Sequence, residues 1–181
     1  MKKSVIGIVE THIQAERIVE QLQARGAASD DISVLFSDKR GTKDFAYEHN
    51  TKAPEGAVAG MGAGGVVGGT IGLLAGIGAL AIPGVGPLIA AGPLMATLSG
   101  VAAGAAVGGV AGGLIGLGVP EFEAKSYEGK IRNGNILLAI HVDNSESEKR
   151  TKQIFEANGA HDISVTSDAS VPKKREHISQ F

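Results

Sequence analysis

From residue 56 to residue 120 the chain runs for 65 residues without one Asp, Glu, Lys, Arg or His. A stretch of that length with no charged side chain cannot stay in water as an extended surface. Such a stretch reads as covered by protein or placed in lipid, with disorder as the remaining alternative. The block holds 21 of the 27 glycines, and all 36 acidic and basic residues lie outside it. The boundary divides the chain into charged flanks and an apolar insert. No G-X-Y period runs through the block and serine does not accompany the glycine, so neither a collagen-like strand nor a flexible linker explains it.

The insert has a period of four. Gly56, Gly60, Gly64, Gly68, Gly72 and Gly76 form one unbroken series, and Gly100, Gly104, Gly108, Gly112 and Gly116 form a second. Residues four apart share one face of a helix, so each series draws a stripe without side chains along which another helix backbone can pass closely. These eleven glycines are the expected helix-packing interface. The spacing predicts a helical hairpin, residues 56–82 and 87–119, turning at Pro83, Gly84, Gly86 and Pro87. Pro93 is expected to kink or restart the second helix after Gly92, leaving a short helical piece over residues 87–91.

Each predicted helix exceeds the ~20 residues that cross a bilayer. The expectation is therefore a transmembrane hairpin. Lys39, Arg40, Lys43 and Lys52 precede it and Lys125, Lys130 and Arg132 follow it, which by the positive-inside rule puts both termini in the cytoplasm of a bacterial inner membrane. The beginning of the sequence lacks an apolar core long enough for a signal peptide, in keeping with that orientation. The competing reading is a hairpin outside the membrane that hides its stripes by assembling with copies of itself.

The flanks repeat each other. Residues 4–38 and 135–168 each read as an apolar run, a polar break, an amphipathic stretch ending at Gly26 or Gly159, and the tetrapeptide DISV. Val5 to Val9 and Ile136 to Val142 are strands, and the two glycines are left-handed helix caps. Ser145 is the expected N-cap of the second helix, with Glu148 closing a capping box. Two βαβ halves in tandem give an α+β, ferredoxin-like βαββαβ sandwich with helices on one face of an antiparallel sheet. The segment PEFEAKSYEGKIRNG adds a helix that starts at Pro120 and ends at Gly134. The domain organisation expected is a first half over 1–38, a polar linker over 39–55, the hairpin over 56–120, a helix and second half over 121–168, and a polar tail over 169–181.

The chemistry expected of the chain is sparse. A net charge of -2 and an aromatic content of 4% argue against a nucleic-acid partner. There is no cysteine, so no thiolate ligand or nucleophile exists. His12, His49, His141, His161 and His177 have no ligand-like spacing, and His49, near Asp44 and Glu48, reads as a solvated loop residue. Asp31 and Asp162 of the two DISV repeats read as turn residues before strands. Lys173, Lys174 and Arg175 read as a solvated tail. Neither catalytic residues, nor a metal, nor a cofactor is expected.

The string GALAIPGVGPLIAAGP, a second Gly/Ala helix and the segment LGVPEFEAKSYEGKIRNGNILLAIHVD resemble the bacterial general stress proteins, often labelled heat-induced or low-temperature-induced. The resemblance runs from the first strand to about Asp168, leaving the tail unmatched. It implies a membrane-anchored stress protein and brings no catalytic residues. The resulting expectation is a non-enzymatic protein with itself and the lipid bilayer as partners. A second expectation is a regulatory sensor whose sandwich binds a small ligand while the hairpin tethers it.

Overall fold

The computed structural model describes residues 3–37, 78–82, 86–94, 98 and 102–167. Strand β1 (Lys3–Val9) leads to helix α1 (His12–Ala24), a 3-10 turn (Ser29–Asp31) and β2 (Ile32–Ser37). Out of the insert come β3 (Gly78–Ile82), β4 (Gly86–Ala91) and α2 (Ala102–Gly116). Helix α3 (Glu121–Arg132), β5 (Ile136–Val142), α4 (Ser145–Ala157) and β6 (His161–Ser167) complete the described chain.

Six strands make one antiparallel sheet in the order β3-β4-β2-β5-β1-β6. The two repeated halves interleave rather than stand apart. β1 pairs with β5 from Lys3↔Val142 to Val9↔Ile136, and β5 pairs in turn with β2 from Ile32↔Ile140 to Phe36↔Ile136. A βαβ half alone would expose the central edge that its counterpart supplies.

Why these segments are strands is visible in their burial. β1 reads Val5, Ile6, Gly7, Ile8, Val9 and all five are buried; β2 and β5 are buried almost throughout. Side chains alternate across a sheet, so a continuous apolar run means that both faces are covered. On one face Val5, Val9, Val34, Leu138 and Ile140 meet Ile18, Val19 and Leu22 of α1 and Ile154 and Phe155 of α4. On the other, Ile6, Ile8, Leu35, Leu137 and Ala139 meet Val110, Ala111 and Leu114 of α2 and Ala124, Tyr127 and Ile131 of α3. The expectation of helices on one face is corrected: the sheet is covered on both.

The helix ends follow local chemistry. Thr11 and Gln14 form a reciprocal capping box at the start of α1. Helix α4 is capped by Asn144, whose side chain accepts the Ser147 N–H at 2.8 Å, one residue before the expected Ser145. An Asx side chain in extended backbone is the better acceptor for that position. Helix α3 begins after Pro120, with Glu121 and Glu123 at the positive end of its dipole and Lys130 and Arg132 at the negative end.

The insert departs most from expectation. Two of its apolar stretches, GALAI and GPLIAA, are strands β3 and β4 where helices were predicted, including the piece over 87–91. β4 adds to the edge of β2 from Val34↔Ala91 to Ser37↔Leu88. Unpaired strand edges attract short apolar runs, and a run of five or six residues is as good a strand as a helix segment. Gly92 then turns the chain with φ +77, and a Cβ there would sit 2.0 Å from the Ile32 carbonyl oxygen, so the backbones touch. The helical part of the second stretch is α2, and it is broken. Gly109 has φ 61 and ψ -155, a conformation open to glycine and to almost nothing else. Among the described residues no helix is long and apolar enough to cross a membrane. The expected first helix over 56–82 lies outside the described residues up to residue 77.

At the break, a carboxylate from the charged flank reaches the charge-free insert. Glu128 Oε2 accepts the Ala111 N–H at 2.7 Å, while Arg132 holds Oε1 at 2.5 Å. The side chain of Glu128 is only 15% exposed, so the bond is shielded and charge-assisted. It satisfies an N–H that the break in α2 leaves without a helical partner. We expect Glu128→Ala to lower unfolding stability by about 1–2 kcal/mol, the range for a lost helix cap, whereas Glu156→Ala on the exposed side of α4 shifts it by less than about 0.5 kcal/mol. Chemical denaturation of the two variants beside the parent checks this, and equal effects would dismiss Glu128 as a cap.

Candidate functional site

The predicted helix-packing glycines divide in three. Gly56, Gly60, Gly64, Gly68, Gly72, Gly76 and Gly100 lie outside the described residues. Gly104 and Gly108 are on α2 before its break. Gly112 and Gly116 follow the break and share a face, four residues apart.

That face points away from the sheet. Val110, Ala111, Gly113 and Leu114 are buried, Gly112 is half-buried, and Ile115 and Gly116 are exposed. A Cβ at Gly116 would meet nothing within 4 Å. The glycines that meet close neighbours inside the molecule are the next ones along. A Cβ at Gly109 would lie 2.9 Å from Glu128 Oε2, and one at Gly113 would lie 2.2 Å from Leu98 Cδ2. Composition alone could not separate the two lines, because 108 and 109, and 112 and 113, are glycine doublets. Gly109 and Gly113, the second member of each doublet, make close internal approaches. On the predicted stripe Gly116 is left open beside Ile115.

A polar junction ties the same layer to the opposite edge of the sheet. Tyr127 of α3, 2% exposed, donates its hydroxyl to the Asp162 main-chain carbonyl at 2.7 Å and is hydrogen-bonded to Ser164 Oγ at 3.0 Å. Burial pushes the Tyr127 phenol pKa up, with the Ser164 hydrogen bond opposing it. Lys130, one helical turn further on, pairs with the Asp162 carboxylate, which also meets His161 Nδ1. The Lys130 hydrogen bond, followed by that of His161, holds the Asp162 carboxyl below its ordinary value of 3.8.

Asp162 has φ 52, the only positive value at a non-glycine position among the described residues. It falls where the β1–β6 pairing slips between Ile6 and Ile8, so the bulge turns its side chain out towards α3. Asp31 of the first repeat sits in the 3-10 turn before β2, as a turn residue. Asp162 is inside β6 instead and gathers two partners, Lys130 and His161. The repeat DISV hides this difference, because the Asp that tolerates left-handed backbone in the second repeat is present in the first as well.

Among the described residues no three His, Asp or Glu side chains come together as a metal-holding group. Of the sequence-predicted histidines, His12 opens α1, His141 is half-buried on β5 and His161 belongs to the junction. His49, His177 and the basic residues 173–175 lie outside the described residues. Compared with protein-family models, curated proteins and solved structures, the chain matches none of them.

The junction has a pH signature whose sign follows from the depressed carboxyl. Its stabilisation is full above 3.8, where the unfolded carboxyl is ionised, and fades as the pH falls through the lower folded value. Asp162→Asn keeps a residue suited to positive φ but removes the charge. Melting profiles of parent and variant should therefore differ above pH 3.8 and converge in more acidic solution. A gap that widens towards acid would show that the pair with Lys130 does not stabilise the fold.

Proposed function

We propose that the protein is a non-enzymatic, self-associating protein of the bacterial general stress type, in which an α+β domain of ferredoxin-like βαββαβ order presents a glycine stripe to a second copy. The order β2-β5-β1-β6 supports the ferredoxin-like reading, with β3 and β4 added beside β2. The observation that carries self-association is the outward face of α2. Gly112 and Gly116 lie opposite the face buried on the sheet, beside Ile115, which is 42% exposed. A helix that buries Val110 and Leu114 on its own domain and leaves Gly116 with Ile115 outside offers another backbone a close approach. In the sequence the six-glycine series over 56–76 repeats the same four-residue period.

A spanning hairpin fits this sheet poorly, on length alone. Ser37 ends β2 and Gly78 begins β3, and both strands belong to one sheet, so residues 38–77 depart from and return to the same side of any bilayer. Crossing twice takes about 40 apolar residues. Only 56–77 are free of charge, since residues 38–55 include Lys39, Arg40, Lys43, Asp44, Glu48 and Lys52. The second predicted span is committed to β4 and to the buried face of α2.

Two exposed helical glycines make the test clean. Gly116 and Gly129 both have open space around a would-be Cβ, but only Gly116 lies on the stripe. Leucine favours the helix over glycine by up to ~1 kcal/mol, so neither change should weaken the fold. Gly116→Leu should cut self-association about tenfold, equivalent to about 1.4 kcal/mol, in sedimentation and crosslinking, while Gly129→Leu leaves it unchanged. Equal behaviour of the two variants would refute the stripe. In carbonate extraction the native oligomer should be released; retention in the membrane pellet would replace a second copy by lipid as the stripe's partner.

A further inference from the structure

Away from the stripe, on the other face of the sheet, helices α1 and α4 leave a cavity of about 170 Å³ at the C-terminal end of β5. Its walls come from the last turn of α1 and the turn after it (Arg25, Asp31), the residue following β5 (Asp143), and the first two turns of α4 (Ser147, Arg150, Thr151). The two helices present opposite dipole ends here: α1 brings its negative C-terminus and α4 its positive N-terminus. Polar surface predominates in the lining, unlike the apolar core immediately beneath it.

The charges on this wall are not spent on each other. Arg150 pairs with Glu146, but the side chains of Arg25, Asp31 and Asp143 make no hydrogen bond or ion pair among the described residues. Thr151 is 4% exposed and lines the cavity, and its hydroxyl, which has no hydrogen-bond partner among the described residues, opens onto the cavity. One cavity therefore offers groups of both signs, a hydroxyl open to a ligand and two opposed helix ends.

We propose that this cavity binds a small zwitterion of the α-amino-acid class. The carboxylate would face Arg25 and the N-terminal turn of α4, with Thr151 and Ser147 as hydroxyl donors. The ammonium would face Asp31 and Asp143. A simple anion satisfies the cations and leaves both carboxylates opposed to it; a simple amine does the reverse. Size points the same way, because 170 Å³ is about six water volumes and lies below the ~300 Å³ at which drug-sized sites begin. The site is independent of self-association, since it lies across the sheet from α2.

The full-length protein would be melted in the presence of each of the twenty L-amino acids at millimolar concentration, with propionate and ethylamine as single-charge controls and phosphate as an anion control. At least one amino acid should raise Tm, and none of the controls should match it. Arg25→Ser and Asp31→Asn, at solvent-accessible positions, should keep the ligand-free Tm and weaken the response at least tenfold in apparent affinity. Thr151→Val, which retains the shape of a core side chain, serves as a third variant and should also weaken it. The proposal is overturned if no amino acid raises Tm, if propionate, ethylamine or phosphate does so equally, or if the response survives in all three variants. Oligomer size, measured in the same samples, should not change with the variants.

Discussion

The structure turns on a sheet whose central strands are apolar on both faces. β1, β2 and β5 alternate side chains to opposite sides and have almost no polar side to give to water. Each face is therefore a separate demand for cover. The two repeated halves meet one demand with α1 and α4. The other is met by α3 and by material from the insert, above all Leu94, Leu98, Val110, Leu114 and Val119. A charge-free block that looks foreign in the sequence is thus, in its second half, the missing layer of the domain into which it is inserted. Its lack of charge is what that position requires, because an ionised group there would be buried without a partner.

Among the described residues the cover is attached at few polar points, and each of these comes from the flanks. Glu128 reaches the broken α2, Ser33 accepts the Leu94 N–H at 3.1 Å, and Tyr127 with Lys130 fastens α3 to the bulge at Asp162. Between these points the layer is held by dispersion and by apolar burial, which are not directional. The polar points therefore fix where the cover sits, while the apolar area supplies most of its hold. The division is physical: a helix made of glycine, alanine and a few larger residues has little shape to register it on a sheet.

What the sequence made legible follows the strength of each local signal. The repeat located β1, β2, β5 and β6, the helices between them and their glycine caps, because strands, amphipathic helices and a positive φ at Gly26 and Gly159 leave distinct marks. Helix α3 was equally plain from Pro120 and Gly134. The insert was misread over 78–91 because its glycines carry the period of a helix while Leu80, Ile82, Leu88 and Ile89 carry only short apolar runs, which both structures accept. Gly112 and Gly116 do lie on one helix, but the adjacent line of Gly109 and Gly113, which makes close internal contacts, was not separable from them in the sequence. Two-sided burial was written in β1 from the start, as Val5, Ile6, Ile8 and Val9 without a polar face. The polar junction at Asp162 and the cavity between α1 and α4 join residues more than 30 and 100 positions apart, and no local pattern encodes such meetings.

The interleaving of the two halves has a consequence for the order in which the chain can fold. β1, the first strand to be made, has as its neighbours β5 and β6, the last two. When the insert has been synthesised the sheet centre does not yet exist, and Leu88, Leu94, Val110 and Leu114 have no surface to rest on. The residues from 121 to 168 must follow first, which takes about 2–10 seconds at 5–20 residues per second. During that interval the most apolar part of the protein is its least protected. Glycine in place of larger side chains keeps the exposed surface per residue small over that interval, and the same economy that lets helices approach in the finished molecule limits what the nascent one can stick to.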